Sequence, residues 1–349
     1  MSLKNIMVLF GGTSPEHDIS VESASSVVSY LGQHRVIPVY ITTDGRWLMY
    51  DGKPDNLRNL NWERVGTPAV LSTDRANPGL MRLVGGKYKT IPIDVVLPIL
   101  HGPNGEDGTV QGLCELAGIP YVGCGVLASA VAMDKATTRL IARAIKIPQA
   151  EFLTFTYEEI EDNRAKALTK IGRKLGYPCF VKPSVGGSSI GISKASSRKE
   201  LETAIEIAFK YCDKIIIEKQ VAGREVEVGV LGAGLAAKTS VVGEIIADGD
   251  FYTFDAKYKA DSKTIIPADL PEETAAKIQE YALQIFRTID GRGLSRVDFF
   301  VTENDQVLFN EINTVPGFTN ISMYAKMWQK SNVPFNDLLE ILIAIAIGV

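Results

Sequence analysis

Four polar side chains with clear chemical potential lie on two alternating stretches near the C-terminus, separated by the polar turn Glu303–Gln306. The pattern predicts a β-hairpin in which Asp298 lies opposite Glu311 and Arg296 lies opposite Asn313. Because side chains alternate along a strand, all four share one face. Opposed carboxylates repel each other unless a cation lies between them. Two carboxylates and an amide oxygen are ligands suited to Mg²⁺, which also binds substrate phosphates.

The alternative is that this face of the hairpin is an ordinary solvated polar surface. The opposite face is predicted to be apolar and to consist of Val297, Phe299, Leu308 and Ile312. An apolar second face places the strands on a core, which favours a functional origin for the clustered charges.

The glycine-serine segment Lys182–Gly191 predicts a hairpin loop over phosphates. Glycines allow close approach of the backbone, amide and hydroxyl groups donate to phosphate oxygens, and Lys182 adds positive charge. A plain surface turn is the alternative. Residues 187–191 also match the G-x-S-x-G pattern of serine hydrolases, but that motif needs a following helix and the next residues look extended.

Two weaker patterns concern nucleotides. Gly11-Gly12 follows an apolar strand, but neither the dinucleotide fingerprint nor a phosphate P-loop is present. The apolar run Lys214–Lys219, followed by Val221 and Glu225, offers backbone groups for an adenine edge and a carboxylate for ribose hydroxyls. An edge strand with charged ends is the alternative interpretation.

The first elements along the chain are predicted to be a strand, a helix and a second strand. This order predicts a parallel sheet with ligand groups at the C-terminal ends of its strands. A single helix is predicted over Ala130–Ile145, and a short strand over Ile190–Lys194. Predicted strands of the first part are Ile6–Phe10, Val36–Ile41 and Ile93–Leu100, with a helix over Ser20–Leu31.

Composition restricts the class of protein. The chain has 349 residues, 46% of them hydrophobic, with 37 basic and 41 acidic residues and a formal charge of −4. This length predicts two or three domains, and the charge argues against a nucleic-acid partner. The four cysteines contain no C-x-x-C pair, and three histidines make a zinc site unexpected. The longest apolar run, Ile341–Val349, is too short to span a membrane and the start lacks a signal-peptide pattern, so a cytoplasmic protein is expected.

Four ordered segments resemble the D-alanine–D-alanine ligases of the ATP-grasp superfamily. The first two are Gly11–Ser20 and His101–Gly108, the latter similar to the family's H-G-x-x-G-E-D-G. The third is Lys182–Gly191, similar to K-P-x-x-x-G-S-S-x-G, and the fourth joins Arg296–Asp298 to Asn310–Thr319. The resemblance implies ATP-dependent ligation of two D-alanines through a D-alanyl phosphate, for peptidoglycan precursor synthesis.

The resemblance also implies roles for individual residues. Two Mg²⁺ ions, with Mn²⁺ as an alternative, would be held by Asp298, Glu311 and Asn313. Arg296 and the backbone N–H of Gly317 would form the oxyanion hole. Glu16 would bind the ammonium group of the first substrate, with His101 also at the substrate. The expected ATP-binding residues are Lys135, Lys182, Ser188, Glu218, Lys219, Val221, Glu225 and Lys257.

A mobile lid is implied over Asp248–Lys263, where Tyr258 would bond to Ser188, and Ser188 to Glu16. Closure of such a lid would exclude water from the acyl phosphate. Lys257 and Ser322 match residues near the γ-phosphate and the carboxylate of the second substrate. The apolar Met323 favours D-alanine as that substrate, and D-serine or D-lactate is the alternative.

The expected fold is therefore α/β, with an α+β C-terminal part. A Rossmann-like pre-ATP-grasp domain is predicted over residues 1–123, a central ATP-grasp subdomain over 124–221, and a C-terminal subdomain with the metal site and lid over 222–349. A homodimer is the family expectation, and a potassium requirement is left open.

Overall fold

The computed structural model describes residues 2–53, 57–246 and 263–349. The described strands form three sheets of seven, four and five strands. These sheets follow one another along the chain, which agrees with the predicted α/β class. The domain boundaries at residues 123 and 221 stay predictions.

The first sheet has the strand order β6-β5-β4-β3-β2-β1-β7. Strand β1 is fully apolar over Ile6–Phe10 and pairs in parallel with β2 and β7, with α1 connecting β1 to β2. The predicted parallel strand–helix–strand unit is thus confirmed. The strands are β1 (Asn5–Gly11), β2 (Arg35–Ile41), β3 (Trp47–Met49), β4 (Thr67–Ser72), β5 (Gly79–Val84), β6 (Lys87–Ile91) and β7 (Val95–Ile99), and the helices are α1 (His17–Val28), α2 (Trp62–Val65) and α3 (Thr109–Ala117), with a 3₁₀ turn at Leu57–Asn59.

The second sheet is antiparallel in the order β10-β9-β11-β8. The predicted strand over Ile190–Lys194 is displaced, because Ser188 and Ser189 have φ values of 51° and 60° and hold the chain in a turn. No helix follows that turn directly, so the hydrolase motif is absent. The elements are β8 (Phe152–Thr156), α6 (Tyr157–Asp162), α7 (Arg164–Lys174), β9 (Cys179–Pro183), β10 (Ser193–Ala195), α8 (Arg198–Ala208) and β11 (Lys214–Lys219).

The third sheet is antiparallel in the order β14-β13-β12-β15-β16. Its central strand, β12, has one apolar face built from alternating valines. This face packs against a helix, and together they form a buried core. The elements are β12 (Arg224–Ala233), a 3₁₀ turn at Gly234–Ala236, β13 (Lys238–Ile246), β14 (Lys263–Ile265), α9 (Glu272–Thr288), β15 (Arg292–Val301), β16 (Val307–Asn313), α10 (Met323–Lys330) and α11 (Phe335–Ile347).

The single helix predicted over Ala130–Ile145 is wrong, because two helices, α4 (Val126–Met133) and α5 (Lys135–Ala144), replace it. Asp134 lies between them in an extended conformation, and its Oδ1 accepts a hydrogen bond from the Thr137 N–H at 3.0 Å. An aspartate in this role satisfies a backbone donor at the start of a helix. The break therefore makes Lys135 the first residue of α5.

The β15–β16 hairpin has the predicted register at the site, with Asp298 opposite Glu311 and Arg296 opposite Asn313. Beyond this point the register shifts, because Asn310 forms a bulge and Phe299 pairs with Phe309. The expectation that Leu308 faces the core is therefore wrong. Phe309 takes that place and is fully buried.

Four apolar cores hold the fold together. One joins β1 and β7 of the first sheet to α10 and α11, and separate cores lie beneath the second and third sheets and on the other face of the first. All four cysteines are free thiols. Across residues 2–53, 57–246 and 263–349, none of the helices has the length and apolarity needed to cross a bilayer.

Candidate active site

A cleft of about 640 Å³ opens between the first sheet, the glycine-serine loop and the polar face of the third sheet. Most of the predicted site residues line it. They are Glu16, His101, Lys135, Lys182, Ser188, Glu225, Arg296, Asp298, Glu311, Asn313, Gly317, Ser322 and Met323. Lys257 and Tyr258, with the rest of the predicted lid up to residue 262, lie outside the described residues.

A row of carboxylates crosses the polar face of the third sheet. Asp298 on β15 pairs with Glu311 on β16 and with Glu227 on β12. Glu227 is 6% exposed and lines the same cleft. Glu227 was not predicted as a site residue, although its spacing of two from Glu225 on the same strand places it on the polar face of the third sheet, called the site face below.

Arg296 compensates this negative charge. Its guanidinium donates to both Asp298 oxygens, at 2.8 and 2.7 Å, and its Nε lies 3.1 Å from Glu227 Oε2. Burial opposes the charged form of Arg296, but Asp298 and Glu227 raise its pKa well above the usual range. The arginine is therefore a permanent cation at the floor of the cleft.

The donor set fits a divalent cation. Asp298, Glu311 and Asn313 place hard oxygen atoms on adjacent strands, which suits Mg²⁺. Asn313 Oδ1 accepts from the Val315 N–H at 2.9 Å, and both Asp298 oxygens accept from Arg296. No group of three or more His, Cys, Asp or Glu side chains able to hold a metal occurs in the described part of the chain, so the set depends on the Asn313 amide.

The glycine-serine loop approaches the first sheet at Glu16. Ser188 Oγ donates to Glu16 Oε1, and the backbone at Gly187 approaches so closely that a Cβ there would lie 3.3 Å from Glu16 Oε2. Gly102 is more restricted, because its φ is 72° and a Cβ would lie 2.6 Å from the same oxygen. The expected Ser188–Glu16 contact is therefore present, and glycines on two sides make room for the carboxylate.

The two predicted phosphate-binding lysines come from different elements, Lys135 from α5 and Lys182 from β9. Lys135 Nζ donates to the Gly186 carbonyl at 2.5 Å, and Lys182 Nζ lies 2.6 Å from Glu218 Oε2. Both lysines line the cleft, and Lys135 does so against the backbone of the glycine-serine loop. The two lysines therefore bring positive charge to the cleft that the carboxylate row also lines.

Of the predicted adenosine residues, Glu225 lines the cleft, whereas Glu218, Lys219 and Val221 do not. Glu218 is buried between Lys182 and Arg139, with 2.5 Å to the Arg139 guanidinium. Burial raises the pKa of Glu218, but these two cations more than offset that effect and lower it. Lys219 is exposed and Val221 half-buried, and neither lines the cleft described above.

Arg139 is a second residue for which the sequence predicted no role in the site. It is 2% exposed, and it donates to the Phe309 carbonyl as well as to Glu218. Arg139 therefore links α5 to β16, the bulged strand that carries Glu311 and Asn313. Its spacing of four residues from Lys135 on one helix was the available signal.

His101 and Glu106 form a buried pair at the first-sheet side of the cleft, with 3.4 Å between Nδ1 and Oε1. Burial opposes protonation of His101, but Glu106 raises its pKa. Ser322 precedes α10 and its hydroxyl donates to the Thr319 carbonyl at 2.7 Å, while Met323 lies over β13, where a Cβ at Gly243 would come within 2.5 Å of Met323 Cε. His101 and Met323 both line the cleft.

Comparison with known proteins agrees with this geometry. Residues 5–124 match the family described as D-ala D-ala ligase N-terminus, and residues 141–344 match D-ala D-ala ligase C-terminus. The D-alanine–D-alanine ligase of Ruminiclostridium cellulolyticum is 44% identical, over 99% of this chain and 96% of that protein.

Two solved structures are also similar. The VanG D-Ala:D-Ser ligase from Enterococcus faecalis superposes with a TM-score of 0.89 at 37% identity, over 99% of this chain and 100% of that chain. The D-alanine-D-alanine ligase from Coxiella burnetii has a TM-score of 0.86 at 35% identity, over 100% of this chain and 95% of that chain.

The fold and the site define an ATP-grasp ligase with an additional N-terminal α/β domain. The chain belongs to the D-alanine–D-alanine ligase family. The predicted resemblance and fold class are thus confirmed. The family makes a peptidoglycan precursor and uses ATP and magnesium.

Proposed function

We propose that this protein joins two D-alanines to D-alanyl-D-alanine at the expense of ATP, which is converted to ADP and phosphate. The observation that carries the proposal is the convergence in one cleft of Glu16, the two lysines and the Arg296–Asp298 pair. An ammonium-binding carboxylate, a cationic phosphate site and an oxygen-ligand set are the parts that this reaction needs.

In the first step, a carboxylate oxygen of D-alanine attacks the γ-phosphorus of ATP and ADP leaves, which gives D-alanyl phosphate. Glu16 holds the ammonium group of this substrate, and the Ser188 hydroxyl fixes the Glu16 carboxylate. Lys135 and Lys182 bind phosphate oxygens. Asp298, Glu311 and Asn313 would hold magnesium, which would supply positive charge to neutralise the phosphate oxygens.

In the second step, the neutral amine of the second D-alanine attacks the acyl carbonyl carbon, and a tetrahedral species forms. The amine loses a proton and phosphate leaves as the peptide bond forms. Arg296 and the Gly317 N–H stabilise the negative charge that develops on the carbonyl oxygen. Ser322, with Lys257, binds the carboxylate of the second D-alanine, and Met323 limits that subsite to a small apolar side chain.

The remaining site assignments rest on the family. Glu218, Lys219 and Val221 hold adenine and Glu225 holds the ribose, while Tyr258 closes the lid onto Ser188. We also propose two Mg²⁺ ions, for which Mn²⁺ can substitute, a homodimer, and a cytoplasmic location. The domain limits at 123 and 221 belong to the same proposal.

A second candidate is a D-alanine–D-serine ligase, because VanG superposes on 99% of this chain. The two functions differ in the acceptor subsite. A serine hydroxyl buried without a partner is unfavourable, so an acceptor site for D-serine needs a polar or cationic group where this chain has Met323. D-Alanine is therefore the preferred acceptor.

Product analysis tests the proposal. D-Alanine is paired with D-alanine, D-serine or D-lactate at several pH values, with ATP and Mg²⁺, and products are separated by mass. Release of ADP and phosphate should require D-alanine, and D-alanyl-D-alanine should dominate. The Asp298→Asn variant serves as the control for contaminating activity. ATP turnover independent of D-alanine would refute ligation, and a majority of D-alanyl-D-serine would favour the second candidate.

A further inference from the structure

The Glu227 carboxylate occupies the middle of the site face but has no role in the reaction described above. It lies on β12, next to Asp298 on β15 and next to Gly243 on β13. Its side chain is 8% exposed, and it contacts Arg296 from the side away from Glu311. A buried carboxylate at this position is costly unless it is paired, so its placement needs a reason.

Arg296 is shared between two carboxylates in unequal ways. Two parallel hydrogen bonds join its guanidinium to both oxygens of Asp298, which is the strong bidentate geometry. One further contact of 3.1 Å joins Nε to Glu227 Oε2. The arginine thus has a main partner and an adjacent second partner already in contact.

Binding of a divalent cation changes this balance. The cation needs oxygen atoms of Asp298, and both of these now accept from Arg296. A guanidinium and a metal ion also repel each other at short range. Arg296 must therefore release at least part of Asp298 when the cation binds, and its position at the reacting carbonyl then depends on another anchor.

We propose that Glu227 is a positioning residue that retains Arg296 at the site when a divalent cation takes the Asp298 carboxylate. This inference rests on the proposed metal ligands and on the oxyanion role of Arg296. Glu227 lowers the cost of releasing Asp298, because the arginine exchanges one carboxylate for its neighbour. It also keeps the guanidinium on the polar face of the sheet.

The test uses the isosteric Glu227→Gln variant and the charge-retaining Glu227→Asp variant. ADP binding is titrated against Mg²⁺ without D-alanine, so the result does not depend on which product the enzyme makes. The Glu227→Gln protein should need about tenfold more Mg²⁺ for ADP binding, because Arg296 in this variant stays paired with Asp298. Glu227→Asp should show a smaller shift.

The matched control is Glu244→Gln. Glu244 is also a buried carboxylate of this sheet, and it pairs with Arg224 at 2.6 Å, but it lies on the opposite face. Its substitution should lower the unfolding temperature without changing the Mg²⁺ requirement. A Glu227→Gln protein with the wild-type Mg²⁺ requirement would overturn the proposal.

A spectroscopic readout separates positioning from direct metal binding. The ¹⁵Nε signal of Arg296, assigned with the Arg296→Lys variant, is followed as Mg²⁺ is added to the complex of the wild-type protein with ADP. A held arginine gives a sharp signal that persists at saturation, and Glu227→Gln should broaden it. Loss of the signal in the wild-type protein would mean that the cation also takes Glu227, which would refute retention.

Discussion

At the scale of single residues, Arg296 has to satisfy two demands at once. It neutralises Asp298 and Glu227 in the floor of the cleft, and it is the cation proposed to stabilise the oxyanion. Both uses exploit the planar fork of the guanidinium, which a lysine cannot reproduce. Charge alone is therefore insufficient at this position.

We predict that Arg296→Lys lowers kcat by about 10²–10³, the usual cost of losing one oxyanion donor. The lysine keeps the positive charge but loses the bidentate contact with Asp298. Steady-state rates with saturating ATP and D-alanine measure the effect. Arg292→Lys is the matched control, because Arg292 lies on the same strand but donates to the Ile345 and Ala346 carbonyls at the end of α11. Equal losses in the two variants would contradict the assigned role.

The sequence was informative about residues that lie within recognisable patterns and silent about their long-range partners. The pairing of Asp298 with Glu311 follows from hairpin register alone, and it is confirmed. Glu227 and Arg139 act through contacts with residues 69 and 79 positions away, Arg296 and Glu218. Local periodicity contains no information about which distant charge a buried side chain meets.

At the scale of elements, Asp134 decides how the first phosphate-binding lysine is presented. The Asp134 carboxylate caps α5, accepts from Ser184 Oγ at 2.6 Å and pairs with Lys214. The N–H of Lys135 donates to the Ser184 carbonyl at 2.8 Å. These contacts fix the start of α5 against β9, the strand that leads into the glycine-serine loop.

Helical periodicity across residues 130–145 favours one continuous helix, and for that reason the break was not predicted. An aspartate inside an apolar stretch looks the same in sequence whether it is exposed on a helix or caps the next one. What decides between them here is the tertiary pairing of Asp134 with Ser184 and Lys214. The bulge at Asn310 is a similar case, because it depends on contacts made by Arg139.

We predict that Asp134→Ala destabilises the protein by about 1–2 kcal/mol, as expected for a lost cap, and raises the KM for ATP. Thermal unfolding and ATP-dependent rates measure the two effects. Asn163→Ala is the control, since the Asn163 side chain caps α7 by accepting from the Lys166 N–H at 3.0 Å, and its loss should cost stability without raising the KM. A KM for ATP equal to wild type in Asp134→Ala would refute the link to Lys135.

The stability difference between the wild-type and Asp134→Ala proteins should also depend on pH. Burial raises the pKa of Asp134, but the Lys214 and Ser184 contacts outweigh burial and hold this pKa below the ordinary value of an aspartate. A lowered carboxyl pKa contributes stability above the unfolded value and loses it as the pH falls through the folded value. The stability difference between wild type and Asp134→Ala should therefore shrink below about pH 4. A constant difference from pH 7 to pH 3 would contradict this.

At the scale of the whole molecule, an apolar core can combine elements that lie far apart in the sequence. One core combines Ile6, Val8 and Phe10 of β1 with Leu338 and Leu342 of α11, so the two ends of the described chain stabilise each other. The core of the second sheet contains residues 153–217 alone. The apolar run Ile341–Val349 did not by itself reveal that the C-terminal helix shares a core with the first sheet.

This division predicts how local destabilisation spreads. Leu342→Ala removes a side chain that is 1% exposed and should cost about 2–5 kcal/mol through the lost contacts and the cavity. Because the core is shared, amide hydrogen exchange should accelerate in β1 and β7 as well as in α11. Ile171→Ala, in the separate core of the second sheet, should accelerate exchange within residues 152–219 and leave β1 at its wild-type rate. Mass spectrometry of peptides from both variants compares the two patterns under native conditions. If α11 loses protection in Leu342→Ala while β1 and β7 keep theirs, the terminal helix covers the first sheet without stabilising it.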